Sequence, residues 1–96
     1  MKDKVFKNID EFGRYLGLSE EQIKIADLKS KIKKRIIVEA TKQNISNTNL
    51  AKISGLTRTV VSGIINGSLQ SVSLERLIRL ALALRLSVNI SIKKAP

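Results

Sequence analysis

Ninety-six residues supply one domain's worth of chain, in which folding buries roughly two-thirds of the unfolded surface around a single small core. Eighteen Lys plus Arg against eight Asp plus Glu give a formal net charge of +10, with no His and no Cys. That balance favours a polyanionic partner, nucleic acid first. It also excludes imidazole and thiolate metal sites, Ser-His and Cys-His nucleophile pairs and disulfides.

The single Tyr15, scattered carboxylates and unclustered glycines provide neither a paired acid nor a phosphate-cradling loop, so no enzymatic activity, cofactor, metal or small-molecule ligand is expected. The amino terminus is charged rather than apolar, and the most apolar stretch, Leu77 to Ile92, is interrupted by Arg79 and Arg85. A cytoplasmic protein with no membrane partner is expected. Charge divides the chain in two: residues 1–27 hold six acids and five bases, whereas residues 28–96 hold thirteen bases and two acids, a net +11. This division suggests an N-terminal segment, 1–27, and a basic domain, 28–96. The segment is either a separate interaction surface or a lead-in that docks on the domain.

In chain order, Ile9, Phe12 and Leu16 recur at helical spacing after Asn8 and Asp10, and Gly17 ends that turn. Ser19 with Gln22 has the form of a capping box, so a second helix starts at Glu20 and either runs on or breaks near Asp27. Leu28, Ile32, Ile36 and Ala40, with Ile37 beside them, set the apolar stripe of a long helix whose other faces are basic. Of its cations, Lys33, Lys34 and Lys42 are candidates for one or two phosphate contacts; the rest are a solvated face. The segment has no interfacial Trp or Phe, which argues against binding to lipid.

Asn44 suits a left-handed helix end, and Ser46 then caps a short helix with Leu50, Ala51 and Ile53 as its apolar members. Gly55 stops it. Thr57 caps the next helix, which runs through Ile65 with Val61, Ile64 and Ile65 inward and ends at Asn66-Gly67. Ser73 caps a further helix to about Leu84 with an inward stripe of Leu74, Leu77, Ile78, Ala81 and Leu82, and Arg76, Arg79 and Arg85 on its rim. The period then changes to two: Leu86, Val88, Ile90 and Ile92 alternate with polar residues, which predicts a strand. A lone strand leaves its backbone unpaired, so it is expected to pair with its copy in a homodimer or with a partner's sheet, the other reading being a strand with wet edges lying on the helices.

The stretch Asn47 to Asn66 carries the chemistry. Counting from Asn47, a small residue stands fifth (Ala51), Gly ninth (Gly55) and β-branched apolar residues fifteenth and eighteenth (Val61, Ile64). Two steeply crossing helices need a small side chain at the crossing, a left-handed turn, and branched side chains filling the angle. This stretch resembles the helix-turn-helix of the Cro/cI or XRE repressors, which implies an all-α, lambda-repressor-like helical bundle, here with the C-terminal strand added. Ile45-Ser46, Asn66-Gly67, Ser73 to Leu77 and the closing strand are further similar to the short HigA-type antitoxins of bacterial toxin–antitoxin pairs. The resemblance covers about Leu28 to Ile92. It implies a dimer that binds double-stranded operator DNA, represses its own operon and neutralises a cognate toxin, typically an mRNA endonuclease. A free-standing Cro/cI-like repressor is the alternative, and a protein adaptor that has lost DNA binding fits poorly with the retained +11.

On that resemblance the base-facing residues are Arg58, Thr59, Val60, Ser62 and Gly63. Arg58 and Thr59 depart from the polar pair, often beginning with Gln, that usually opens the family's recognition helix. Arg58 suits a bidentate contact to guanine, or else a phosphate clamp; Thr59 or Val60 suits a thymine methyl, and Val60 alternatively joins the core. Gly63 either leaves its base pair unread, the favoured reading, or lets the backbone approach. Asn47, Thr48, Lys52, Thr57, Asn66 and Ser68 are the expected phosphate contacts. Toxin contacts are expected from Asp10, Glu11, Phe12, Tyr15 and Leu16, or from the terminal strand.

Overall fold

The computed structural model describes residue 11 and residues 14–67 and 72–95. Of the first expected helix, Ile9, Asp10 and Phe12 lie outside the described residues; Arg14 and Tyr15 are helical, and Gly17 closes the turn at φ 78°, its N–H donating to the Arg14 carbonyl at 3.0 Å.

Helix α1 spans Glu20–Lys42 without a break. Both halves of the capping box form: the Gln22 N–H donates to Ser19 Oγ at 3.1 Å, and the Ser19 N–H donates to Gln22 Oε1 at 2.9 Å. No Gly or Pro lies between Glu20 and Lys42, and Lys31 pairs with Asp27 at 3.0 Å one turn earlier, so nothing interrupts the helix near Asp27. Its end is a left-handed cap: Asn44 takes φ 56°, and the Ile45 N–H reaches back to the Ala40 carbonyl at 2.9 Å.

Helices α2 (Asn47–Ser54), α3 (Arg58–Asn66) and α4 (Leu74–Ala83) follow, each opened by a hydroxyl that accepts an N–H three residues on. Ser46, Thr57 and Ser73 are those caps, accepting from Asn49, Val60 and Arg76 at 3.2 Å in each case. α4 ends as α1 does, but with Arg85 as the left-handed residue at φ 63°, a position where a non-glycine residue costs about 1–2 kcal/mol. Gln43 ties the two ends together, its Nε2 donating to the Leu84 carbonyl at 3.1 Å and to Glu39 Oε1 at 2.8 Å.

One core joins all four helices: Ile36 and Ala40 of α1, Leu50 and Ala51 of α2, Val61 and Ile64 of α3, and Leu77, Leu80 and Ala81 of α4, closed by Val72 and Leu84. Three expected members are corrected. Ile37 is 38% exposed, because α1 turns Ile36 and Ala40 inward instead. Ile53 is exposed, because α2 turns Leu50, Ala51 and Ser54 inward instead. Leu82 is exposed, because α4 buries the stripe 77, 80, 81 and 84, a quarter-turn from the one expected. The buried Ser54 hydroxyl is satisfied locally, donating to the Ala51 carbonyl at 3.2 Å and accepting from the Leu56 N–H at 3.4 Å.

The expected C-terminal strand is not present among the described residues. The chain from Leu86 onward has no ladder partner there, and only the first half of the alternation is used: Leu86 and Val88 pack against the core, Ser87 and Asn89 face out, and Ile90 and Ile92 are 55% and 92% exposed. A strand needs a second extended segment to bond with, and the described helices offer none.

Leu77 has no exposed surface at the meeting point of these helices. Leu77→Ala is expected to cost about 2–5 kcal/mol in urea unfolding; a loss below about 1 kcal/mol would show that the core does not depend on it.

Candidate nucleic-acid interface

The interface begins with the turn Gly55-Leu56-Thr57. Gly55 is left-handed at φ 75°, its N–H donating to the Ala51 carbonyl at 3.0 Å, and Thr57 immediately caps the next helix. Ala51, 7% exposed, is small enough for α3 to lie close across α2, and Val61 and Ile64 fill the angle at 0% and 2% exposure.

Burying Val61 and Ile64 determines what α3 presents. At about 100° per residue, Thr59, Ser62, Gly63 and Asn66 lie on the opposite face, and Arg58 stands at its amino end. Arg58, Thr59, Gly63 and Asn66 are exposed and Ser62 is half-buried. Val60 lies at the edge: it is half-buried and packs against the core, so it is shared between core and surface. The structure thus brings the polar residues expected to face the bases together on one side of one helix.

The expected backbone contacts are more scattered. Thr48 and Lys52 are exposed on α2, and Asn47 is half-buried at its first turn. Thr57 is exposed; its Oγ1 accepts from Val60, so its hydroxyl hydrogen still has to find an acceptor. Ser68 lies outside the described residues. Lys34 and Lys42 are exposed, but Lys33 donates from Nζ to the Gly67 carbonyl at 3.2 Å and so tethers the end of α3 to α1. Among the expected toxin contacts, Tyr15 and Leu16 are 57% and 55% exposed and Glu11 is half-buried, whereas Asp10 and Phe12 lie outside the described residues.

Two glycines in α3 and at its end differ in their physical roles. At Gly67, a Cβ would overlap the carbonyl of Gly63, whose oxygen accepts the Gly67 N–H at 2.8 Å, so only glycine fits. At Gly63 a Cβ would meet nothing within 4 Å. The space belongs to a hollow of about 230 Å³ between α3 and the start of α4, lined by Thr59, Val60, Gly63, Ile64, Val72 and Arg76. By sequence Arg76 belongs only to the rim of its own helix; its place across the hollow from α3 depends on how the helices pack, for which the sequence carries no local signal.

Two short capped helices joined by a left-handed glycine turn, the second with a free polar face, define a helix-turn-helix. A family model described as Helix-turn-helix matches residues 35–90, more than half of the chain. The chain belongs to that family, the XRE type of DNA-binding transcription regulators, and its family partner is double-stranded DNA. No curated protein and no solved structure matches the chain. Among the described residues no helix is long and apolar enough to cross a membrane.

Glycine inside a helix is less favourable than alanine by about 0.8–1 kcal/mol, and Gly63 lacks the steric reason that Gly67 has. Gly63→Ala is therefore expected to raise the unfolding free energy by about 0.5–1 kcal/mol, read from the midpoint of chemical denaturation. Destabilisation would mean that the hollow closes around a side chain.

Proposed function

We propose that this protein is a sequence-specific repressor that occupies its operator by laying α3 in the major groove, with Arg58 as its principal base-reading residue. The observation that carries this is the outward face of α3: Arg58, Thr59 and Asn66 are exposed and Ser62 half-buried at the end of a cap-and-turn assembly that leaves the Arg58 side chain free of the core. A guanidinium there matches guanine O6 and N7 in two parallel hydrogen bonds, worth about 1–3 kcal/mol of discrimination. Thr59 offers a methyl to thymine and a hydroxyl to either base. The first-turn N–H groups of α2, at Asn47 and Thr48, suit a phosphate, with the helix dipole behind them, and Lys52 adds a charge on the same helix. These contacts set register, and the +11 of residues 28–96 supplies the salt-dependent attraction.

Binding isotherms on a selected duplex and its single-base variants, at several salt concentrations, separate the roles. Arg58→Ala is expected to lose about 1–3 kcal/mol and to relax preference at one base pair, whereas Lys52→Ala weakens all duplexes alike and lowers the salt slope by about one. Exchange of these two behaviours would overturn the assignment.

A second reading, that the protein also neutralises a toxin, is favoured by one observation. Tyr15 and Leu16 leave more than half of their surface exposed beside the acid-rich N-terminal third, a combination suited to a protein partner. Co-expression with the product of each neighbouring open reading frame tests it. Growth arrest relieved by this protein, and no longer relieved by a Tyr15→Asp/Leu16→Asp variant that still binds DNA, is the expected result. Absence of both toxicity and complex formation would leave the free-standing repressor.

A further inference from the structure

The hollow beside Gly63 has an apolar floor, Val60, Ile64 and Val72, and one cation, Arg76, in its wall. The Arg76 backbone N–H is held by Ser73 Oγ at 3.2 Å, and on the opposite wall the Val60 N–H is held by Thr57 Oγ1, so each wall is the capped first turn of its own helix. Thr59 and Gly63, on the outward face of α3, line the same hollow as Arg76, whose side chain is long enough to span a space of that size. No carboxylate among the described residues pairs with Arg76, whereas Arg79, one turn further on, faces Glu75 at 4.0 Å and does not line the hollow.

We propose that Arg76 is a specificity-determining residue, reading from α4 the base pair that Gly63, on α3, leaves without a side chain. The proposal rests on the DNA-binding reading above. Gly63 is five residues beyond Arg58, a rise of about 7.5 Å along the helix, or about two base-pair steps at 3.4 Å each. Arg58 and Arg76 therefore read separate positions. Glycine at 63 keeps the hollow open for the guanidinium, whose fork fits guanine O6 and N7 as that of Arg58 does. Seen this way, the base pair at Gly63 is read, and by a different helix.

The test starts with the full-length wild-type chain and a pool of randomised duplexes, from which the preferred sequence is selected. Binding is then measured for wild type, Arg58→Ala, Arg76→Ala, Arg76→Lys and Gly63→Gln on that duplex and on every single-base-pair variant, with a thermal melt of each protein. Arg76→Ala is expected to lose about tenfold on the selected duplex and to flatten preference at one base pair, distinct from the one flattened by Arg58→Ala. Arg76→Lys keeps the charge and the stem but lacks the fork, so it is expected to lose the same preference while its binding to the variant duplexes changes little. Gly63→Gln fills the hollow and is expected to change the base preferred there and to make Arg76→Ala silent in that background.

Uniform weakening by Arg76→Ala with a smaller salt slope, retained by Arg76→Lys, would make Arg76 a phosphate contact and overturn the proposal. Unchanged binding, or loss of preference at the Arg58 position, would overturn it as well. If Arg76→Ala melts well below wild type, Arg76→Lys decides. Failure of the wild-type chain to select any sequence would instead overturn the DNA-reading assignment itself, a result separable from all of these.

Discussion

The left-handed turn at Gly55 is the constraint on which the interface depends. One residue at φ 75° ends α2, and two residues later Thr57 caps α3, so only Leu56 separates the end of one helix from the cap of the next. A helix as short as α3, nine residues, has little stability by itself in water. It persists because Thr57 satisfies an end N–H and because Val61 and Ile64 are buried against Leu50 and Ala51. The same burial that stabilises α3 determines its outward face. The packed face and the exposed polar face are two consequences of one orientation.

Around that turn the buried polar groups are few and satisfied. Ser54 is the one buried polar residue among the described core positions, and its hydroxyl both donates to Ala51 and accepts from Leu56, spanning the turn from inside. Gln43 joins the ends of α1 and α4, and Lys33 joins α1 to the end of α3. These contacts hold the short helices against the long one through side chain to carbonyl bonds, the type that remains where helix ends leave acceptors without intrahelical partners.

The positive charge is accordingly divided between structural and available groups. Lys31 is engaged with Asp27 and Lys33 with the Gly67 carbonyl, both within the fold. Lys52 and Arg58 are exposed on the two helices of the motif, and Arg76 lines the hollow between the second of them and α4. Net charge alone assigns none of these roles, because a lysine bonded to a carbonyl and one facing solvent contribute equally to the sum.

Much of the architecture was legible in the sequence, because it is written in local chemistry. Ser19, Ser46, Thr57 and Ser73 are all caps, and Gly55 and Asn44 are left-handed ends, since a hydroxyl or a permissive backbone acts within a few residues. The left-handed end at Arg85 had no such signal, because it is imposed by the Leu86 N–H returning to the Ala81 carbonyl and not favoured by arginine itself.

The choice among apolar residues was likewise tertiary. α4 offers overlapping apolar stripes at helical spacing, and only its contacts with α1 and α2 select Leu80 and Leu84 over Leu82. The alternation from Leu86 to Ile92 is real in the sequence, yet it becomes a strand only where another extended segment supplies hydrogen bonds, and the described residues supply none. In the site, the face with Thr59, Ser62, Gly63 and Asn66 follows from helical periodicity once Val61 and Ile64 are placed inside, and Arg58 stands at its amino end. That Arg76 and Gly63 line one hollow follows from no periodicity. The sequence by itself determined the helices, their caps and the polar face of α3, because those depend on neighbours a few residues away. Only the tertiary structure decided which side chain stands beside the empty position on that face, because helix packing brings together residues thirteen positions apart.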